Sequence, residues 1–232
     1  MNMESANQIF VMALGGSIIC PDEIDISYLR DFYDFILKEI DDGKKFIIVT
    51  GGGSLCRKFQ KAAGEFVHVS DEDKDWLGIH STRLNAQLLR TIFAKQAHPV
   101  ILEHRGKITN FDGYSVIIAA GWRPGWSTDF VAVQIAVDFH VDKVLILGKP
   151  DFVYNKDNQQ FPDAKPFINL TWSEYLKLIP NEWSPGIHAP VDPVAAKLAQ
   201  KEGIEAIVAG GKDLENLKNI LEGKKFKGTI IN

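Results

Sequence analysis

The sequence predicts an α/β fold in which a mostly parallel central sheet is sandwiched by helices, a three-layer αβα arrangement. Two observations carry that reading. Short apolar runs without polar alternation recur at 9–14, 46–50, 116–120, 144–147 and 206–209, each closed by glycine, as strands buried on both faces require. Between them lie segments whose apolar residues fall at spacings of three and four, and strand followed by helix, repeated, builds a parallel sheet covered on both sides.

Taken in order, the run 9–14 opens the chain as a strand and ends in Gly15-Gly16-Ser17. Leu29, Phe32, Tyr33, Ile36, Leu37 and Ile40 then form one apolar stripe of a helix that packs on the sheet. The strand 46–50 runs into Gly51-Gly52-Gly53-Ser54, with Arg57 one turn into the helix that follows. A further helix over 84–93 presents Leu84, Leu88, Leu89 and Ile92, carries Thr82, Arg83 and Asn85 at its start, and is preceded by Asp75 and Trp76. After the strand 116–120, glycines at 121 and 125 lead into Ser127-Thr128-Asp129 and a helix over 130–139 that is apolar nearly all round, hence interior. The strand 144–147 is followed by residues 149–169, rich in Asp, Asn, Gln, Pro and Lys, read as a loop or hairpin excursion. Thr171-Trp172-Ser173-Glu174 has capping-box spacing, and Asp192-Pro193 sets a capping carboxylate before a proline suited to a first helical turn. Gly203 and Gly223 stand where helices stop. No flexible linker divides the 232 residues, so a single domain is expected over 1–232.

Composition narrows the function. With 26 Lys+Arg against 30 Asp+Glu and a net charge of -4, the chain lacks the basic excess that holds nucleic acid or an anionic membrane. The longest apolar runs fall far short of the ~20 residues a bilayer span needs, and residues 1–8 carry no positive charge of the kind that opens a secretory signal. Two cysteines, Cys20 and Cys56, make neither a disulfide framework nor a paired zinc site, and a reducing cytoplasm is the expected location. His68, His80, His98, His104, His140 and His188 are scattered without ligand spacing, and no P-loop, dinucleotide or nucleophile-elbow motif occurs.

The chemistry is expected at the glycine turns. A strand, then glycine, then a helix N-terminus exposes backbone N–H groups with no side chain in the way, which suits a phosphate. Glycine at a strand end also serves any tight turn, but three such turns opening along the carboxyl edge of one parallel sheet point to a phosphate-rich ligand. Transfer of a phosphoryl group between anionic substrates needs cations and amide dipoles to hold the phosphates in line. Arg57 and Lys149 are placed for that, and each reads alternatively as a solvated residue. Asp129 follows the third turn and reads either as a site carboxylate or as an acid favoured by the helix dipole, while Asp192 reads equally as an N-cap. Asp75 suits a ribose hydroxyl or merely solvates a loop. Trp122 and Trp126, beside Pro124, either face a base or a neighbouring subunit or belong to the core.

These residues resemble the amino acid kinase superfamily, and within it the archaeal-type uridylate (UMP) kinases, nearly end to end. The resemblance is carried by Gly15-Gly16-Ser17-Ile18, by Ile48-Val49-Thr50-Gly51-Gly52-Gly53 with Arg57-Lys58, and by Pro124-Gly125-x-Ser127-Thr128-Asp129. Val191-Asp192-Pro193-x-Ala195-Ala196-Lys197 and the closing Gly228-Thr229-Ile230-Ile231 extend it. The most specific stretch is Asp75-x-x-Gly78-Ile79-x-x-Thr82-Arg83-x-Asn85-Ala86, which isopentenyl phosphate and acetylglutamate kinases do not share. The resemblance implies an ATP-dependent kinase making UDP from UMP, with an acceptor lobe over about 1–142 and an ATP lobe over about 143–232. It implies UMP contacts at Gly52, Asp75, Trp122, Arg123, Pro124, Gly125, Trp126, Ser127 and Thr128. Gly16, Ser17, Gly53 and Arg57 would meet the ATP phosphates, and Lys149, Tyr154 and Asp157 the base and ribose side. Asp129, Arg57, Lys149 and Asp192 would serve the transfer itself, with Mg2+ carried mainly on the nucleotide phosphates rather than by dedicated side chains. Members of the family are hexamers, so a homo-oligomer is expected, with small-molecule partners only.

Two departures bear on the pockets. Where the family usually reads Gly-Gly-Thr-His-Pro-Gly-His-Thr-Thr-Asp, this chain has Ala120-Gly121-Trp122-Arg123-Pro124-Gly125-Trp126-Ser127-Thr128-Asp129. The usual Val-Asp-Gly-Val-Tyr is Pro150-Asp151-Phe152-Val153-Tyr154, which replaces a glycine by Phe152. They leave open a kinase of the same fold acting on another small phosphate or acid, and a non-catalytic nucleotide-binding or storage protein.

Overall fold

The computed structural model describes residues 8–182 and 189–232; the N-terminal segment read above for a signal, apart from Gln8, and His188 lie outside the described residues. In chain order the elements are β1 (Ile9–Leu14), α1 (Gly16–Ile19), α2 (Ile26–Asp41), β2 (Lys45–Thr50), α3 (Gly53–Gly64), α4 (Asp71–Ile92), β3 (Val116–Ala119), α5 (Thr128–Asp138) and β4 (Lys143–Gly148). They continue as β5 (Val153–Tyr154), β6 (Pro166–Phe167), β7 (Asn169–Leu170), α6 (Trp172–Tyr175), α7 (Pro193–Glu202), β8 (Glu205–Gly210), α8 (Leu214–Leu221) and β9 (Thr229–Ile231).

The described residues form a three-layer α/β/α fold around a sheet of order β3-β2-β1-β4-β8-β9-β7. The first five of these strands run parallel, with Leu14 in register with Thr50 on one side and Leu147 on the other, while β9 pairs antiparallel to β8. Each strand feeds one core on each face because side chains alternate. In β1, Val11 and Ala13 join the core beneath α5 and α7, and Phe10, Met12 and Leu14 join the core beneath α2 and α4. Helix α5 is buried from Phe130 through Ala136, as its all-round apolar sequence requires.

The expected strands and helix stops are found, including the capping box at Thr171 and the left-handed Gly203 after α7. Three features differ from expectation. Helix α4 begins at Asp71, capped by Ser70, so Asp75 and Trp76 lie inside it rather than before it. Its first turn carries Asp71, Glu72 and Asp73, which the helix dipole favours and which hide the helix from an apolar count. Leu84, expected on the inward stripe, is 60% exposed, and the buried face is instead Ile79, Ser81, Thr82, Asn85, Ala86 and Leu89. Finally, the excursion 149–169 contributes more than a hairpin: β5 pairs with β6, and β7 joins the main sheet beside β9.

Candidate active site

Strands β1, β2, β3, β4 and β8 all point their carboxyl ends to one edge, which brings the three glycine turns together. The first two meet backbone to backbone. The Gly51 N–H donates to Leu14 O at 2.9 Å and the Gly15 N–H to Leu147 O at 2.8 Å. A Cβ on Gly16 would fall on the Gly53 nitrogen and the Gly51 carbonyl, and Gly53 holds φ +67°, so at both positions only glycine fits without displacement. Gly16 opens α1 and Gly53 opens α3, leaving amides of two helix starts side by side.

Helix α4 clamps these turns to the third. Asn85, 4% exposed, donates from Nδ2 to Gly51 O at 2.7 Å and to Gly52 O at 3.4 Å. Thr82 Oγ1 accepts the Gly121 N–H at 2.8 Å, and Arg83 donates to Trp122 O at 3.4 Å. Further toward the N-terminus of the helix, Asp75 Oδ2 accepts the Gly125 N–H at 2.8 Å. Burial pushes the Asp75 carboxyl above its ordinary range, against the opposing pull of the Gly125 N–H. The 75–85 pattern is thus the device that holds the loop 121–125 against the turn 51–53, a role for Arg83 and Asn85 that spacing alone did not assign.

Within the loop, Trp122 is 4% exposed and its Nε1–H donates to Leu102 O at 3.2 Å, so its indole belongs to the core. Trp126 packs on Phe130 with ring centroids 4.5 Å apart and receives the Arg123 guanidinium over its face at 3.9 Å. Pro124, Gly125 and Thr128 are partly buried, and Gly125 takes φ +81°. Ser127 caps α5 by accepting the Phe130 N–H at 3.0 Å, and its hydroxyl makes a short hydrogen bond to Asp192. Asp192, 2% exposed, caps α7 through the Val194 and Ala195 N–H groups at 2.8 and 3.1 Å. Its carboxylate is thereby committed on both oxygens. Asp129 sits beside it, and burial together with the Asp192 charge pushes the Asp129 carboxyl up to about 8.

Across the edge, at the ends of β1, β4 and β8, lies an open cleft of about 420 Å³ lined by Ser17, Lys149, Asp151, Gly211, Lys212 and Asp213, among others. A hydroxyl, two ammonium groups and glycine backbone make a donor set suited to a polyphosphate. Of the residues assigned to the base and ribose side, Lys149 lines this cleft and the other two do not: Tyr154 is in β5 with its ring edge-on to Phe152, and Asp157 is in an exposed loop where it accepts the Gln159 N–H. Arg57 is exposed on α3. Sequence reasoning missed Lys212 and the Gly210-Gly211 turn before it, although these glycines follow the apolar run 206–209 just as the other turns follow theirs.

Residues 8–210 match the model of the amino acid kinase family. A uridylate kinase of Thermococcus kodakarensis is 31% identical over 223 residues, which span 95% of this chain and 98% of that protein. One of Thermoplasma volcanium is 33% identical over 227 residues, 97% and 98% of the two chains. The crystal structure of uridylate kinase from Archaeoglobus fulgidus superposes with a TM-score of 0.80 at 26% identity, covering 97% of this chain and 100% of that one. The chain belongs to the amino acid kinase family, in the company of the archaeal uridylate kinases.

Proposed function

We propose that the protein is a UMP kinase, transferring the γ-phosphoryl group of ATP to UMP to give UDP and ADP. Family membership supports phosphoryl transfer to a nucleotide. The finer reading rests on one observation: helix α4 ties the turn 51–53 and the loop 121–125 together through Asn85, Thr82 and Asp75. In-line transfer asks the protein for positioning and charge neutralisation more than for acid–base chemistry, and a rigid clamp between two anion-binding loops supplies the positioning. In this reading the acceptor lies over Gly52, Asp75 and the loop 122–128 in the lobe 1–142, and the donor lies in the cleft of Ser17 and Lys149 toward the lobe 143–232. Gly16, Gly53 and Arg57 serve the phosphates between them. Asp129, once ionised, attracts the cations gathered at the transfer point, and Asp192 fixes Ser127 at the start of α5. Magnesium, carried on the nucleotide phosphates, would neutralise charge on the group in transit. Tyr154 and Asp157 are proposed at the adenosine side, and a hexamer is the proposed assembly.

The change to Trp122 does not by itself argue for another substrate, because its indole is turned into the core rather than into the loop's open side. The test is the initial rate of ADP formation from Mg·ATP with UMP, CMP, isopentenyl phosphate and acetylglutamate offered singly. UMP is expected to be preferred. A better rate with another acceptor supports a kinase of different specificity, and ATP binding with no turnover supports a storage role.

A further inference from the structure

We infer that Lys212 is a phosphate-binding residue on the donor side of the cleft, held at its rim by Asp25 as a positioning residue. This rests on the reading that the cleft of Ser17 and Lys149 takes the nucleoside triphosphate. Lys212 follows Gly210-Gly211 at the carboxyl end of β8 and lines the same cleft as Lys149. Its side chain is 54% exposed, and its Nζ donates to Asp25 Oδ2 at 2.7 Å. An ammonium has three donors, so one bond to Asp25 fixes the group and leaves two for an incoming anion.

The loop that carries Lys212 is anchored on both sides. The Asp25 Oδ1 atom accepts the Tyr28 N–H at 3.0 Å as the cap of α2, so the carboxylate that meets Lys212 is itself immobilised. The Tyr28 hydroxyl, on a residue 7% exposed, donates to Gly211 O at 2.9 Å. On the other side the Gly211 N–H donates to Gly148 O at 2.8 Å, which fixes the turn next to the backbone preceding Lys149. The hydrogen bond from Lys212, joined by that from the Tyr28 N–H, holds the Asp25 carboxyl below its ordinary range, as a persistent ion pair does. Of the cleft carboxylates, Asp213 is committed to capping α8 through the Asn216 N–H at 2.9 Å. Two lysines therefore flank one opening at the end of the central strands, one of them pre-positioned by α2. That arrangement fits a di- or triphosphate better than a monophosphate, because two separated cations are matched by two separated phosphoryl groups.

The experiment is calorimetric titration of the full chain with Mg·ATP and with AMP, without acceptor, for the unaltered protein, Lys212→Met, Lys212→Arg and Asp25→Asn. Loss of one charge-assisted contact weakens ATP binding by about tenfold or more, with AMP changed less than about twofold. Lys212→Arg is expected to retain most of the affinity, and Asp25→Asn, which keeps the helix cap, to lose affinity to a smaller extent. Thermal unfolding of each variant confirms that it is folded. ATP affinity unchanged in a folded Lys212→Met variant overturns the role of Lys212, and tighter ATP binding by Asp25→Asn overturns the positioning role of Asp25. If the unaltered protein binds no ATP, the donor reading of the cleft falls and takes this inference with it.

Discussion

Asp75 offers the sharpest perturbation of the proposed acceptor side, since its carboxylate makes the side-chain bond from α4 that reaches Gly125 in the middle of the loop. Truncation to alanine removes a charge-assisted hydrogen bond of 2.8 Å between partly buried groups. Such bonds contribute about 1.5–3 kcal/mol, which corresponds to roughly a 10- to 150-fold loss if the loop must hold this position to bind the acceptor. Asp75→Asn keeps an oxygen that accepts the Gly125 N–H but loses the charge, so about half of that energy should survive. The assay is initial velocity with Mg·ATP saturating and UMP varied, then the reverse. The KM for UMP should rise in the order unaltered, Asn, Ala, while the KM for ATP stays within about twofold, because the severed bond restrains the loop and not the proposed donor cleft. A folded Asp75→Ala variant with an unchanged KM for UMP would show that this bond does not hold the loop for the acceptor. Equal losses for UMP and ATP would do the same, since they would mean that Asp75 supports the whole edge rather than one loop.

Asn85→Ala strands the buried Gly51 carbonyl and should lower stability by about 2–3 kcal/mol, read as the shift in urea midpoint at unchanged slope. Gly16→Ala places a methyl group on Gly53 backbone and should both destabilise the chain by about 1–3 kcal/mol and raise the KM for both substrates; an unchanged unfolding midpoint would contradict the close approach of the two turns. Asp129 has a folded-state value raised to about 8 from an ordinary 3.8, so the folded chain binds the extra proton and the stability it brings is lost as pH rises through that window. Asp129→Asn should therefore gain in melting temperature over the unaltered protein as pH rises from about 5 toward 8 while losing turnover, and kcat/KM of the unaltered enzyme should climb toward pH 8; a pH-independent difference in melting temperature would sink the assignment.

The strands were legible because each is an unbroken apolar run ending in glycine, a pattern that burial on both faces imposes. Their common edge followed from topology, and with it the nearness of Gly16 to Gly53. Helix α4 was only half legible. Its inward face uses Thr82 and Asn85 to bond loops and turns Ser81 back onto the helix, so an apolar count selected Leu84, which faces solvent. The resemblance gives Asp75 a role and carries Arg83 and Asn85 only as family markers without one, and only the folded arrangement tells which carbonyl or amide each one meets. Strands β7 and β9 are too short, at two and three residues, for any periodicity to register. Trp122 and Trp126 are chemically alike and close together in one loop, yet one is turned into the core and the other shares its face with Arg123. That division is set by Leu102, which comes from a distant segment, and by Phe130 on the first turn of α5.

Whether this edge transfers phosphate from ATP to UMP is decided by competition between acceptors. Equimolar UMP, CMP and isopentenyl phosphate are incubated with the protein and limiting Mg·ATP, and the products are identified by phosphorus NMR. A UMP kinase yields ADP and UDP in equal amounts and leaves the other acceptors unconsumed. A different phosphorylated product in excess, or ATP left intact in the presence of UMP, would contradict it.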